Sequence, residues 1–76
     1  MEQLLEYLAK GLVDKPDDVR VVRSEREGAV VLELHVAPED VGKVIGRQGR
    51  IARSLRTLMR ASGGRRNERA VLEIVD

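Results

Sequence analysis

Val44-Ile45-Gly46-Arg47-Gln48-Gly49-Arg50-Ile51 is the stretch on which the reading of this chain turns. An apolar pair leads into a loop bounded by two glycines, and an Arg-rich amphipathic segment leaves it. Neither glycine carries a Cβ, so the backbone can turn sharply and a ligand can approach closely. The loop opens directly into a segment with helical periodicity. Backbone N–H groups at a helix N-terminus lack intrahelical partners and favour anions. Arg47 and Arg50 add full positive charge beside them. These features together imply contact with an anionic backbone.

Working outward from the loop, the segment from Pro38 to Val44 or Ile45 reads as a short helix. Proline suits the first helical position, and Glu39 and Asp40 complement its positive end. After the loop, a second helix is expected from Arg50 to about Ala61. Ile51, Leu55, Leu58 and Met59 fall on one side of its wheel, and Arg53, Arg56 and Arg60 on the other. Gly63-Gly64 is expected to end it in a left-handed turn. Arg65-Arg66-Asn67-Glu68 is a polar loop. Arg69 to Val75 alternates as a last strand, with Ala70, Leu72 and Ile74 on one face.

Upstream, Leu4, Leu5, Leu8 and Leu12 recur at helical spacing over residues 2–13, and Pro16 stops that helix. Val19 to Arg23 is rich in β-branched residues and reads as a strand. Ser24 to Gly28 reads as a polar turn. Ala29 to Val36 alternates, with Val30, Leu32, Leu34 and Val36 on the buried face. The short connection implies an antiparallel hairpin. The order is helix, strand, strand, helix, helix, strand. The expected fold class is α+β: a three-stranded sheet with its helices on one face, which buries every apolar stripe.

The chain has 76 residues, enough for a single domain spanning 1–76. With no cysteine and one histidine, His35, neither a disulfide framework nor a metal centre is expected. No cofactor is implied. There is no apolar run of membrane-spanning length and no basic leader, so the expected location is the cytoplasm. The net charge is only +1, but the charges are segregated. Residues 1–42 carry ten acidic and five basic groups. Residues 43–69 carry nine basic groups and one acid, Glu68. A sign-biased surface of this kind can steer a polyanion without a strongly basic protein behind it. Eight of those nine cations are Arg, which suits planar contact with phosphates and bases.

Other phosphate loops do not fit. A P-loop needs Gly-x-x-x-x-Gly-Lys-Ser/Thr after a strand, whereas Gly49 here is followed by Arg50-Ile51 and preceded by a helical segment. The spacing of Gly42, Gly46 and Gly49 is also wrong for a dinucleotide fingerprint. A helix, Gly-x-x-Gly and a second helix, placed after a hairpin and before a final strand, resemble the KH domain. The αββααβ order resembles its type II form, common in bacteria. The resemblance covers nearly the whole chain and rests most on Val41-Gly42-Lys43-Val44-Ile45-Gly46-Arg47-Gln48-Gly49-Arg50-Ile51. A stand-alone domain of this length is similar to the small bacterial KhpA-type RNA-binding proteins.

The KH resemblance implies a loop that clamps the backbone of single-stranded RNA, about four nucleotides in this module. Gly46 and Gly49 would permit close approach, and Arg47 and Gln48 would touch phosphates or sugars. Val44, Ile45 and Ile51 are candidates for the floor of a base-holding groove. Arg50 and Arg53 are further RNA-binding candidates, and Lys43 a rim contact. Arg56 and Arg60 read first as a solvated helix face, and Arg65 and Arg66 either extend the positive surface or keep a loop soluble. The resemblance also implies no enzymatic activity, a role as an RNA chaperone or post-transcriptional regulator, and a homodimer or pairing with another KH-containing RNA-binding protein. The residues leave one alternative open. The glycine loop can be a plain turn and the Arg face can meet an acidic protein surface, as in an interaction module of a larger ribonucleoprotein or ribosome-assembly complex.

Overall fold

A computed structural model describes residues 2–64 and 69–75. The chain begins with helix α1 (Glu2–Leu12) and a one-turn 3-10 segment (Pro16–Asp18), then strands β1 (Arg20–Arg26) and β2 (Ala29–His35). A second 3-10 turn (Pro38–Asp40) leads into the short helix α2 (Val41–Ile45). The glycine loop forms a third such turn (Arg47–Gly49), followed by α3 (Arg50–Gly64) and β3 (Arg69–Val75). The expected order of elements holds throughout. The Arg65–Glu68 loop lies outside the described residues.

The sheet runs β1-β2-β3, with β2 in the middle. β1 pairs antiparallel with β2, and β3 pairs parallel with it, Leu32 lying beside Leu72. A parallel partner requires a long crossover, which here is the α2–loop–α3 unit. That unit therefore rides over the sheet, and the loop joins its two helices. Alternate apolar residues of β2 face the helices: Val30, Leu32 and Leu34, with Val36 just after the strand, share one core with Leu5, Ala9, Val44, Leu55, Met59 and Leu72. This agrees with an α+β fold carrying its helices on one face.

Three expectations need correction. The first hairpin strand does not stop at Arg23. It runs to Arg26, because the reversal is made by two residues only, Glu27 at φ 51° and Gly28 at φ 80°. Two consecutive positive φ values match the tight turn that fits the twist of a hairpin. Ser24, Glu25 and Arg26 are thereby drawn into the ladder opposite Val31, Val30 and Ala29. In α3, Leu58 is 44% exposed while Ala52, Leu55 and Met59 are buried. The buried side of the helix is thus rotated away from Leu58 and toward Ala52. The same helix continues through Gly64 rather than ending before the glycine pair.

In α1 the buried residues are Leu5 and Ala9, with Leu4 40% exposed. On the face of the sheet away from the helices, Val31 is nevertheless buried. It sits on the middle strand between Ser24 and Val71, and the Arg26–Glu73 ion pair, 3.9 Å, spans the strands on either side.

Candidate nucleic-acid interface

The loop is built from three departures from helical geometry within four residues. Gly46 ends α2 at φ 77°, ψ 173°. Gln48 sits at φ 57°, ψ 25°, and Gly49 at φ 73°. A side chain at Gly46 would place its Cβ 2.6 Å from Ile51 Cγ1, so both the backbone conformation and the packing demand glycine there. At Gly49 the space is open, and only the φ value calls for glycine. Ile51 is thus the residue against which the turn closes.

The turn's backbone bonds run from Gly46 N–H to Gly42 O, 2.9 Å, and from Gly49 N–H to Gly46 O, 3.1 Å. Neither Arg47 nor Gln48 is a donor among the loop and cap backbone bonds of the described residues. Both residues are exposed, as is Arg50 at the start of the 15-residue α3. The positive end of that helix dipole coincides with the loop. Beside it, Arg50, Arg53, Ser54, Thr57 and Leu58 line a shallow groove along α3.

The remaining candidates divide. Ile45 is 37% exposed next to the loop and Ile51 is half-buried beneath it. Val44 is fully buried and belongs to the core, so it offers no surface to a base. Arg53 turns back on the loop, its Nη2 donating to the Gln48 carbonyl at 3.3 Å. Arg56 and Arg60 are exposed on α3. Arg65 and Arg66 lie outside the described residues.

Lys43 is engaged by acids rather than extended toward the loop. Its ammonium contacts the Asp14 carboxylate and lies 3.4 Å from Asp40 Oδ1. The bond to Asp14 is the main reason its pKa is raised. Asp40 has a tie that the sequence reading, which placed it only at the helix's positive end, did not foresee. It is 1% exposed and precedes α2, but its side chain does not cap that helix. Oδ2 accepts the Lys15 N–H at 3.0 Å, and Oδ1 the Asp14 N–H at 3.3 Å. Burial pushes the Asp40 carboxyl up, but those two amides and the Lys43 ammonium outweigh it and hold the pKa below the ordinary value. Lys15 also pairs with Glu39. The entry to α2 is therefore tied to the segment leaving α1. No spacing rule links residues 14–15 to residue 40.

Among the described residues, no group of three or more His, Cys, Asp or Glu is placed to hold a metal ion. His35 lies 3.8 Å from Glu33 on the same strand face. No helix of the described residues is long and apolar enough to cross a membrane.

The chain matches the family model described as KhpA/KhpB, KH domain, over residues 2–74. It belongs to that family. It is 55% identical over 75 residues to the RNA-binding protein KhpA of Clostridium acetobutylicum, covering 99% of this chain and all of the relative. The KhpA of Treponema pallidum is also 55% identical, over 99% of this chain and 94% of its own. That of Aquifex aeolicus is 51% identical over the whole of this chain and 96% of its own. No solved structure matches the chain significantly. The family assignment fits the geometry: the glycine loop joins the two helices that cross between parallel strands of the sheet.

Proposed function

We propose that this protein binds single-stranded RNA, with the Gly46–Gly49 loop as the clamp on the sugar–phosphate backbone. The observation that carries the reading is the set of positive φ values at Gly46, Gln48 and Gly49, at the N-terminus of α3, with exposed Arg47 among them and exposed Arg50 directly after. A bare backbone, a helix dipole and two guanidinium groups all favour an anion at one point. The names of the relatives, RNA-binding protein KhpA, agree with a polynucleotide as the source of that anion.

On this reading Gly46 and Gly49 admit the strand, and Arg47, Gln48 and Arg50 contact phosphates or sugars. Ile45 and Ile51 provide apolar surface for bases. The chain has one aromatic residue, Tyr7, so base stacking on aromatic platforms contributes little and sequence preference is weak. The protein works as one KH domain without catalysis, as an RNA chaperone or post-transcriptional regulator in the cytoplasm. A single shallow site binds in the micromolar range, on the order of 8 kcal/mol. Self-association, or pairing with another KH-containing protein, raises that affinity by doubling the contact.

The test is the double variant Arg47→Asp/Gln48→Asp. Both side chains are exposed, so the variant folds, and its affinity for short oligoribonucleotides drops at least tenfold, about 1.4 kcal/mol. Undiminished binding by a folded double variant refutes the proposal.

A further inference from the structure

We infer that Arg53 is a positioning residue for the loop and not itself an RNA ligand, an assignment that rests on the loop being the backbone clamp. Arg53 lies on the first turn of α3, and its guanidinium points back along the chain to the carbonyl of Gln48, with Nη2–O 3.3 Å. That carbonyl belongs to the residue least suited to its own conformation. Gln48 carries a side chain at φ 57°, a region that L-residues other than glycine avoid and adopt only when the surroundings enforce it.

The Gln48–Gly49 peptide is held at both ends. Its oxygen accepts from Arg53, and its N–H, on Gly49, donates to the Gly46 carbonyl at 3.1 Å. Fixing this peptide plane restrains the second half of the turn, because the plane sits between Gln48 and Gly49, both at positive φ. The neighbouring N–H groups of Arg47 and Gln48, on the two preceding peptides, have less freedom to reorient as a result. A loop ordered before binding loses less conformational freedom when it binds. Arg53 also covers a carbonyl whose partial negative charge would otherwise lie in the same loop as the groups that receive phosphate. Arginine suits both tasks, since its planar fork donates in a fixed direction and stays charged.

Salt dependence separates the two roles. Each phosphate neutralised on a single strand adds about 0.7 to the log–log slope of affinity against salt. Binding of an oligouridine to the wild-type protein, Arg53→Ala, Arg53→Lys and Arg47→Ala would be titrated over a range of salt. Amide exchange and ¹⁵N relaxation at residues 46–49 would be measured without RNA. Expected for Arg53→Ala is a several-fold loss of affinity, a wild-type salt slope, and faster exchange at 46–49 in the RNA-free protein. Arg53→Lys keeps the charge and loses the directed bond, and it behaves as Arg53→Ala does. Arg47→Ala lowers the slope and leaves the RNA-free loop as ordered as before. A slope lowered by Arg53→Ala as much as by Arg47→Ala would make Arg53 a phosphate ligand and overturn the inference. So would a loop whose exchange and affinity do not respond to losing Arg53. Failure of the clamp itself reads out separately, as RNA binding that survives Arg47→Asp/Gln48→Asp.

Discussion

Gly46 and Gly49 bracket the same loop, but the structure gives them unequal burdens. Gly46 has both a left-handed φ and Ile51 packed where a Cβ would stand; Gly49 has only the φ. Gly46→Ala should therefore cost roughly 2–4 kcal/mol, combining backbone strain with displacement of a packed side chain. Gly49→Ala should cost about 1 kcal/mol, from the backbone alone. Urea unfolding of the two variants checks the ranking, and equal losses would show that Ile51 yields freely. The sequence marks both positions as glycine without distinguishing them, because the difference lies in what stands opposite each. The same holds for Lys43. Its position beside the loop marks it as a rim contact or nothing, and only the fold shows that its ammonium is engaged by Asp14 and Asp40.

α3 illustrates how an element's periodicity reads correctly while its orientation does not. Leu58 and Met59 are adjacent in sequence and about 100° apart on the wheel, and both were expected on the buried side. Only Met59 is enclosed, at 0% exposure. Met59→Ala should lose about 2–5 kcal/mol through the cavity it leaves. Leu58→Ala should stay within about 0.5 kcal/mol, as substitutions at exposed positions do. Thermal melts followed by far-UV circular dichroism decide this, and comparable losses would mean that Leu58 is covered in solution.

The tie between α1 and α2 makes its own prediction. Asp40's folded pKa lies below its unfolded value, so the folded state favours the ionised form. Its stabilising contribution is complete above the unfolded value, near 3.8, and is lost as pH falls through the lower folded one. Asp40→Asn should be less stable than wild type at neutral pH, and the gap should close below about pH 4. Denaturant midpoints measured across that range test the claim; a gap independent of pH would assign the effect to packing instead.

At the scale of the whole molecule, charge separation is the feature with consequences. The acidic first half and the Arg-rich stretch from Lys43 onward give the chain two electrostatic characters at a net charge of only +1. If three or four phosphates are contacted, log affinity against log salt for single-stranded RNA should fall with a slope of roughly −2 to −3. A slope near zero would remove the electrostatic basis of the proposed function. Doubling the site should raise apparent affinity beyond that of one module. Sedimentation equilibrium alongside RNA titration would show whether affinity climbs with association. An affinity unchanged between monomer and dimer would count against a paired mode of binding.

The sequence by itself determined the kind and order of the elements and the glycine-and-arginine make-up of the loop. Both are local properties: apolar residues repeat at the period of the element they form, and a glycine pair with flanking arginines is complete within eight residues. Only the tertiary structure decided that β3 runs parallel beside β2, that Ala52 rather than Leu58 is buried, that Ser24–Arg26 joins the ladder, and that Asp40 reaches the amides of residues 14 and 15. Each of these depends on groups brought together from distant positions in the chain. Periodicity shows that a helix has an apolar side, but the shape of the surface it lands on selects which residues that side buries.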